Sequence, residues 1–541
     1  MSNKEFTGHP DARRPKNNPF AWINLAFLTI IVICCNYIGC REYGRLDLSE
    51  YESYSISERT LNVLSSEQVQ KIESPIRIIF AFPGSSPGYH RMYLLLEEYK
   101  RHAKGKIEIE CFDPLRQPGR AREVAHTYNV KFDQAYCIVD ARTDKDMRVS
   151  HSEVSPDDAG RYRCIPGSTF LRYETQPDGK RNVVALMMDE VLCNEIIKTV
   201  EGNQRKMYVV TNLSGGVQQD SRGNLVTAPI SLLNTIASSV NIKLEPIRLA
   251  QVESSGASPA QSAEKNEIPQ DAEGLIIIAR DTDLTPYQIN IIRKFWEERE
   301  GVALFIGISG QYHTYSQASN QMVPTLVNLN KFIEENGIHP NGDDRILLKS
   351  SRSLDDNISV SFPEGLACTQ NFWNTTALLD GRSQSFSLFF DNESDASARR
   401  LNTYPLIMAS KEYYGERTPG TGARCDANDV NADGTTPLYV TVAATKGSQT
   451  DKNKLNTMVV TGNLSMLSED GARKEIRDYL RSVYAWMVER PQYAGKSNNY
   501  DLSVKIDLNR HSRSAVEHLT LIIMPLLALL VAFVIWNTRR H

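Results

Sequence analysis

The sequence lacks the residue spacings that commonly mark metal, redox and nucleic-acid sites. It has no Cys-x-x-Cys pair, no His-Glu-x-x-His segment and no long run of lysine and arginine. Its 61 basic residues stand against 65 acidic ones, which gives a formal net charge of -4. A basic surface that follows a nucleic-acid backbone is therefore not expected, and neither is a zinc site of the usual spacing.

Cysteine is sparse, with nine residues in 541. Three of the nine belong to an apolar segment near the N-terminus or to its edge, and the other six are dispersed. In an oxidising compartment these six could form one or two disulfides, but the sequence alone assigns no partners. The six are Cys111, Cys137, Cys164, Cys193, Cys368 and Cys425.

Two long apolar segments bracket the chain, and both predict transmembrane helices. Residues 20–38 read FAWINLAFLTIIVICCNYI, and a helix of that length measures about 28 Å, roughly one hydrocarbon thickness. Residues 519–536 read LTLIIMPLLALLVAFVIW, with Pro525 as an expected kink. Residues 1–19 then form a cytoplasmic N-terminal tail, and the chain is expected to contact membrane lipid.

The basic residues next to the two segments predict their orientation. Positive charge precedes the first segment and follows the second, so the positive-inside rule places both termini in the cytoplasm. This predicts a two-pass protein of the bacterial inner membrane with a large extracytoplasmic region. The flanking basic residues are Lys4, Arg13, Arg14, Lys16, Arg539 and Arg540.

An alternative is that the first segment is a lipoprotein signal that leaves a lipidated Cys40. Tyr37 stands where a small aliphatic residue is usual. An uncleaved anchor is therefore the favoured interpretation.

The region between the two segments alternates strand-like and helix-like stretches, which predicts an α/β fold of two or three domains with thioredoxin-like or Rossmann-like alternation. Residues 45–180 are predicted to form a first α/β domain, and residues 181–510 a second α/β region. Residues 251–270 (QVESSGASPAQSAEKNEIPQ) are predicted to be a flexible surface insertion. Residues 183–201 are predicted to be one helix, and Ser57 is predicted to cap a helix that contains Leu61 and Leu64.

Residues 213–216 read LSGG, the string of the signature loop that clamps nucleotide in ABC ATPases. Such a loop needs a phosphate loop of the form G-x-x-x-x-G-K-[ST] in the same chain. The nearest match, Arg490–Ser497, lacks the first glycine and follows a helix instead of a strand. We expect no ATP binding, and we interpret residues 214–216 as a glycine turn after a strand.

Gly84–Gly88 matches the nucleophile elbow G-x-S-x-G between a predicted strand and helix. An oxyanion hole there would use the N–H of the residue after the serine, and Pro87 has none. The expectation is a strand-to-helix turn.

Residues 429–434 (DVNADG) fit the first half of a calcium loop. The twelfth position, where a carboxylate should close the metal shell, is Val440. A plain Asx/Gly turn is favoured, and calcium is the alternative. Adjacent carboxylates such as Glu97–Glu98 and Asp355–Asp356 are predicted to be solvated, and no catalytic, cofactor-binding or metal-binding residue is assigned.

Six segments occur along the chain in this order: RLDLSEYESYSISERTLNVL (45–64), PIRIIFAF, YLLLEEYKRHAKGKIEIECFDP, ARDTDLTPYQINIIRKFWEEREGVALFIG, LNKFIEENGI and PLLALLVAFVIWNTRRH. Their order resembles that of the GldG-like accessory proteins of ABC transport systems, which are known from bacterial gliding motility and carry the GIFT domain. The resemblance covers most of the chain, and its individual strings are less specific than their order between the two spans. The sequence departs from that family at residues 212–216, where a G-H-x-E-like loop is frequent, and at Gly462-Asn463, where aspartate is the commoner partner of the glycine.

The resemblance implies a non-catalytic subunit that partners a separate ABC permease and a cytoplasmic ATPase, without a cofactor of its own. The alternative is a stand-alone, membrane-anchored envelope module that binds glycan or peptide. A hydrolase is the third possibility, and it would require titratable side chains gathered in one cleft.

Overall fold

The computed structural model describes residues 55–501 with gaps and, before them, only residues 27, 29–31 and 34, which are helical. The chain divides into two compact units, residues 1–53 and residues 54–541. No helix among the described residues has both the length and the apolar character needed to cross a bilayer. Most of the first predicted span and all of the second lie outside the described residues. The gaps are residues 143–158, 176–180, 203, 214–230, 252–264, 281, 309–312, 317–320, 343, 351–354, 365, 374, 418–424, 448–454, 470–471 and 498–499.

The first part of the second unit contains a small mixed sheet. Its elements are α1 (Glu58–Ser65), α2 (Glu67–Gln70), β1 (Ile76–Ala81), α3 (Tyr89–His102), β2 (Ile107–Phe112), α4 (Pro118–Tyr128), β3 (Tyr136–Asp140) and β4 (Tyr162–Pro166). The sheet order is β2-β1-β3-β4, and β3 runs antiparallel to both of its neighbours. Ser57 caps α1 as predicted, because its hydroxyl accepts the Thr60 backbone N–H at 3.2 Å.

A hairpin and a parallel series follow. Their elements are β5 (Leu171–Thr175), β6 (Arg181–Leu186), α5 (Met188–Glu201), β7 (Arg205–Val210), α6 (Ser231–Ser239), β8 (Ile242–Ile247), β9 (Ala272–Ala279), α7 (Pro286–Glu298) and β10 (Ala303–Ile308). The prediction of one helix over 183–201 is wrong at its start, since Val183 and Val184 belong to strand β6. Pairing of β6 with β5 outweighs the helical pattern of that stretch.

The third part is rich in short strands. Its elements are β11 (His313–Ser316), β12 (Gln321–Pro324), α8 (Val327–Glu334), β13 (Ile338–Pro340), β14 (Arg345–Leu348), β15 (Ile358–Ser361), β16 (Thr376–Leu379), β17 (Phe386–Leu388), α9 (Glu393–Arg399), β18 (Leu401–Ala409), β19 (Tyr413–Glu416), β20 (Tyr439–Lys446), β21 (Asn456–Thr461), α10 (Lys474–Met487) and β22 (Tyr500–Asp501).

A mixed sheet of eleven strands organises the larger part of this unit. Its main path is β16-β15-β18-β20-β21-β10-β9-β7-β8, and β13 and β17 pair beside it. The last five strands of the path, β21-β10-β9-β7-β8, are parallel. In chain order they stand as 2-1-3-4-5, one of the common doubly wound arrangements. The predicted α/β class is therefore confirmed, with mixed sheets.

The apolar core continues from the small sheet to the large one. One face of β1 (Ile78, Phe80) and one face of β7 (Met207, Val209) belong to the same buried cluster. The opposite face of β7 packs into a second cluster that contains Trp296. A boundary between residues 180 and 181 stays a prediction. The six dispersed cysteines are free thiols.

Candidate functional site

The fold itself points to one edge of the large sheet as a place for ligands. In open α/β sheets, ligands bind outside the carboxyl ends of the parallel strands, where the strand order reverses. Here the reversal lies between β7 and β9. We call the loops that follow β7, β8, β9, β10 and β21 the carboxyl edge; their described residues near that edge are 211–213, 248–251, 265, 280, 282–285, 313–316, 321–326 and 462–469.

The LSGG string begins at the carboxyl edge, directly after β7. Leu213 is buried, and residues 214–216 lie outside the described residues. The preceding Asn212 joins the ends of β7 and β8, because its Nδ2 donates to the Leu249 carbonyl at 2.8 Å and its Oδ1 accepts the Leu249 N–H at 2.6 Å. Asn212 thus holds loop backbone.

Asp283 and Gln288 form hydrogen bonds with backbone groups in the next part of the carboxyl edge. The Asp283 carboxylate accepts the backbone N–H groups of Asn328 at 2.7 Å and Leu329 at 3.2 Å, which satisfies the start of α8. The Gln288 amide forms a capping box with Thr285 and donates to the Leu249 carbonyl. These side chains stabilise helix starts, which is a structural role.

Contacts in the structure account for both Gly462 and Asn463; at the second position, aspartate is commoner in the sequences that this chain resembles. A Cβ at residue 462 would lie 2.5 Å from the Gln384 carbonyl oxygen, so only glycine fits. Asn463 is fully buried, and its Nδ2 donates to the Asp380 and Gly381 carbonyls and to Ser383 Oγ, at 3.1, 3.1 and 2.9 Å. An aspartate has no N–H with which to make these three bonds.

The G-x-S-x-G string is the strand-to-helix turn that its sequence predicts. It lies between β1 and α3, and Gly88 caps the helix with a positive φ of 72°. The Ser86 N–H donates to the Pro83 carbonyl, and the Ser86 carbonyl accepts the Tyr89 N–H. Both backbone groups of Ser86 are therefore used in turn formation.

The string at residues 490–497 packs against other chain segments. It follows helix α10, as predicted. The Gly495 N–H donates to Ser482 Oγ at 3.0 Å, and the Ser497 N–H donates to the Asp478 carboxylate at 3.1 Å. The exposed Lys496 ammonium lies 5.7 Å from the Phe372 ring centre. Because the two amides bond to protein groups, they do not present an anion nest.

Residues 429–434 form a turn whose carboxylates bond to nearby groups. Asp429 accepts the N–H groups of Arg417 and Asp426, at 3.1 and 2.8 Å. Asp433 accepts the N–H and hydroxyl of Thr435, at 3.0 and 2.6 Å. No three His, Cys, Asp or Glu side chains within the described ranges are grouped to hold a metal ion. These bonds favour the Asx-turn interpretation.

Two buried acids were not found from the sequence. Glu98, predicted to be solvated, is only 5% exposed and pairs with Arg101 at 2.5 Å. Asp344 is fully buried, and it accepts the N–H of Ser385 at 3.1 Å. Burial raises the pKa of Asp344 to about 7, against the lowering effects of Ser385, Arg417 and Arg382. No local pattern marks either residue as buried.

A buried polar cluster lies where the two ends of the described region meet. We call it the terminal junction, formed by α1, α5, α10 and residues 491–497. Asp189 accepts the Ser57 N–H at 3.1 Å, the Thr60 hydroxyl at 2.9 Å and the Tyr99 hydroxyl at 2.8 Å. Burial raises the pKa of Asp189, while the bonds from Ser57, Tyr99 and Thr60 oppose that rise.

Arg59 spans the terminal junction from α1. It is 1% exposed, and its guanidinium donates to the Tyr493 carbonyl at 3.1 Å, to Asn194 Oδ1 at 2.7 Å and to the Ser239 carbonyl at 3.1 Å. Its backbone N–H donates to the Lys496 carbonyl at 3.4 Å. Burial lowers the pKa of Arg59. Through these bonds the side chain joins helices α1, α5 and α6 to the C-terminal segment 491–497.

Acid–base pairs complete the terminal junction. Arg481 on α10 pairs with Glu190 on α5 and with Asp478, the latter at 3.1 Å. Asp478 also accepts the Ser497 hydroxyl at 2.5 Å. Arg490 pairs with Glu201 at 2.5 Å. Buried charges persist only when they are paired and hydrogen-bonded, so this arrangement strongly specifies how the ends meet.

A groove of about 840 Å³ runs beside the terminal junction, along β8 and α6. Residues 242–246 of β8 form one side of the groove. The other lining residues have uncharged amide or hydroxyl side chains: Asn194, Gln204, Asn234, Thr235, Ser238 and Ser239. Two of these, Asn194 and Ser239, are also partners of Arg59.

Comparison with known proteins assigns no family to the chain. No family model matches it, and no curated protein matches its sequence. Two solved structures are distantly similar. The N-terminal domain of mmIFT52 is 12% identical with a TM-score of 0.32, and the match covers 52% of this chain and 96% of that one. A ThuA-like protein from Parabacteroides merdae is 10% identical with a TM-score of 0.28, covering 56% and 93%. Likenesses this distant have no bearing on function.

Proposed function

We propose that the protein is a non-catalytic, membrane-anchored accessory subunit of an ABC transport system, with a separate permease and a cytoplasmic ATPase as partners. The order of segments that resembles the GldG-like proteins supports this proposal, together with the two apolar segments that bracket the chain. In this proposal the chain crosses the bacterial inner membrane twice and carries a large extracytoplasmic region.

The observation that carries the proposal is the terminal junction. Residues 57–62 and 493–497 bond directly to each other, since Asn62 Nδ2 donates to the Ala494 carbonyl at 3.1 Å in addition to the Arg59 bonds. Strand β22 then pairs with β6, with Tyr500 opposite Leu186. Only residues 39–56 and 502–518 separate these segments from the predicted spans. In the proposal, this joint holds together the two segments that lead to the predicted spans.

The described part of the carboxyl edge also supports a non-catalytic role. Asn212, Asp283 and Asn463 bond there to backbone groups or to other structural side chains.

Copurification from membranes tests the proposal against the stand-alone binding module. We expect the full-length protein, extracted in mild detergent, to bring a permease and an ATPase with it. A protein that copurifies with neither would contradict the proposal.

A second test replaces residues 20–38 and 519–536 with unrelated apolar helices. In our proposal the spans contact the permease, so the chimera should insert in the membrane and fail to support cellular function. Full activity of the chimera would show that the spans are simple tethers, and it would favour the binding module.

A further inference from the structure

We propose that Asp344 is a proton-sensitive contact, which holds the loop 380–385 on the carboxyl edge while it is protonated and releases the loop when it ionises. The loop reads DGRSQS and connects β16 to β17; we call it the edge loop. Its release goes beyond the proposed function and does not depend on it, because the contact involves neither a permease nor a membrane.

One side of the edge loop is bonded to the carboxyl edge at the end of β21. Asn463 Nδ2 donates to two carbonyls and one hydroxyl of the loop, and the Gly462 carbonyl accepts the Gln384 N–H at 3.0 Å. Ligands of open α/β sheets bind at this edge. While the edge loop stays in place, these polar groups of Gly462 and Asn463 are not available to a ligand.

The other side of the edge loop is bonded to residues 341–346, at the start of β14. The Ser383 carbonyl accepts the Ile346 N–H at 3.3 Å, and the Ser385 carbonyl accepts the Asn341 N–H at 3.0 Å. Asn341 Nδ2 also donates to Ser385 Oγ at 2.8 Å. All of these groups are neutral, so their bonds do not respond to protons. Asp344 lies in the same segment, and its carboxyl group does respond.

The carboxyl group of Asp344 is enclosed between the edge loop and β19. It accepts the N–H and the hydroxyl of Ser385, at 3.1 and 2.5 Å. On the other side, a Cβ at residue 415 would lie 2.6 Å from Asp344 Oδ2, so the carboxyl group touches the backbone of β19. Asp344 is fully buried, and no basic side chain among the described residues forms an ion pair with it. An ionised carboxyl group is costly in such a place.

The charged groups near Asp344 do not compensate for its burial. The segments packed around it carry these ionisable residues: Arg345, Asp356, Arg382, Glu416, Arg417 and Asp429. Arg382 and Arg417 lower the pKa of Asp344, but burial outweighs them and raises that pKa to about 7. Arg345 pairs with Asp356 instead, at 2.7 Å. The other two residues are acids, which offer no countercharge to an ionised Asp344.

Ionisation of Asp344 favours separation of the edge loop. When the loop separates, water reaches the carboxyl group and its pKa returns toward the ordinary value of 3.8. Between that value and about 7, Asp344 is protonated in the closed form and ionised in the open form. The ratio of open to closed loop therefore rises about tenfold per pH unit in this range, and it stays constant at higher pH. Gly462 and Asn463 thus become more accessible as the pH approaches neutrality.

Hydrogen exchange of the full-length protein between pH 5 and pH 8 measures this opening. After division by the intrinsic exchange rate, the protection of the Gln384 and Ser385 N–H groups should fall about tenfold per pH unit up to pH 7 and then level off. The internal control is the Leu249 N–H, which bonds to Asn212 Oδ1 elsewhere on the carboxyl edge. Protection of the edge loop that does not change with pH would overturn the proposal. Equal losses at the edge loop and at Leu249 would also overturn it, because they would show global unfolding.

Asp344→Asn tests whether this acid is the group that titrates. An asparagine accepts the Ser385 N–H and cannot ionise, so protection of the edge loop should be the same from pH 5 to pH 8. Asp380→Asn is the matched control, because it neutralises an acid of the same loop whose carboxylate pairs with Arg473 in a partly exposed position. It should keep the wild-type profile. A wild-type profile in Asp344→Asn would overturn the proposal.

A second variant covers the case in which Asp344→Asn does not fold. Ser385→Ala removes the hydroxyl that donates to Asp344 and keeps the backbone N–H. The lost hydrogen bond raises the pKa of Asp344 further, so the loss of protection should continue to a higher pH before it levels off. If protection levelled off at the same pH as in the wild type, or at a lower pH, Asp344 would not be the controlling group.

Discussion

The terminal junction and the carboxyl edge are both rich in buried polar groups, but they differ in the kind of side chain that they bury. The terminal junction buries the ionisable side chains of Arg59, Asp189, Asp478 and Arg481. The carboxyl edge relies mainly on neutral amides such as Asn212 and Asn463. A buried charge costs several kcal/mol unless it is bonded, whereas a neutral amide costs less. The difference indicates that joining the chain ends is the more strongly specified feature of this molecule.

The largest effect is expected from Arg59→Met, which keeps side-chain length and removes every donor. The carbonyls of Tyr493 and Ser239 and the Asn194 oxygen would lose their bonds inside the terminal junction. We expect the free energy of unfolding to fall by about 3–5 kcal/mol, measured by denaturant unfolding of the full-length protein. Arg116→Met, whose side chain is 87% exposed, is the control. If Arg59→Met lowered the free energy of unfolding no more than Arg116→Met does, the terminal junction would not be the more strongly specified region.

A pH-dependent effect is expected from Asp344→Asn, at a buried acid outside both regions. The folded pKa of Asp344 is raised to about 7, so its contribution is fully present below pH 4 and is lost as the pH rises through 7. Relative to the wild type, the variant should gain stability between pH 5 and pH 8, by at most about 4 kcal/mol. Unfolding at the two pH values measures this gain. Parallel pH profiles would show that Asp344 keeps an ordinary pKa.

Asn463→Asp tests the carboxyl edge. Aspartate is the commoner residue at this position in the GldG-like proteins that the sequence resembles. The carboxylate would face the Asp380 and Gly381 carbonyls without a proton to donate. We expect a loss of about 2–3 kcal/mol in the free energy of unfolding, less than for Arg59→Met. A stable variant that gained affinity for a cation would instead show that the loop is a binding site.

The smallest effect is expected from Lys496→Ala. The exposed ammonium contacts only the Phe372 face, so the loss should stay below about 1 kcal/mol. Neither wild type nor variant should bind ATP in equilibrium dialysis. Ser497→Ala is the matched comparison at the next residue, and it should cost more because the Ser497 hydroxyl bonds to the buried Asp478. Nucleotide binding that Lys496→Ala abolishes would contradict the interpretation of this string as a packing segment.

Much of the α/β alternation follows from local pattern. Ser57 caps α1, and the apolar runs at 76–81, 272–279 and 303–308 form strands. Caps and apolar runs act over a few residues, so the sequence displays them directly. The prediction failed at Val183–Val184, where a partner strand decides the structure.

The site features depended on contacts between distant residues. From the sequence alone, Asn463 is an ordinary loop asparagine. Its bonds to the Asp380 and Gly381 carbonyls are visible only in the structure. Asp344 and Glu98 read as surface acids until neighbouring segments bury them. A pKa shift or a buried bond arises from such neighbours, and one segment of sequence does not reveal them.

The sequence by itself determined the apolar segments at its two ends, the order of strands and helices between them, and the turn at Gly84–Gly88, because each depends on neighbouring residues and on hydrophobic period. Only the tertiary structure decided that α1 meets residues 491–497 through Arg59, and that β7 stands between β8 and β9 in the large sheet. The physical reason is that strand order and buried charge pairing depend on segments more than a hundred residues apart, whose meeting is set by the burial of the whole core.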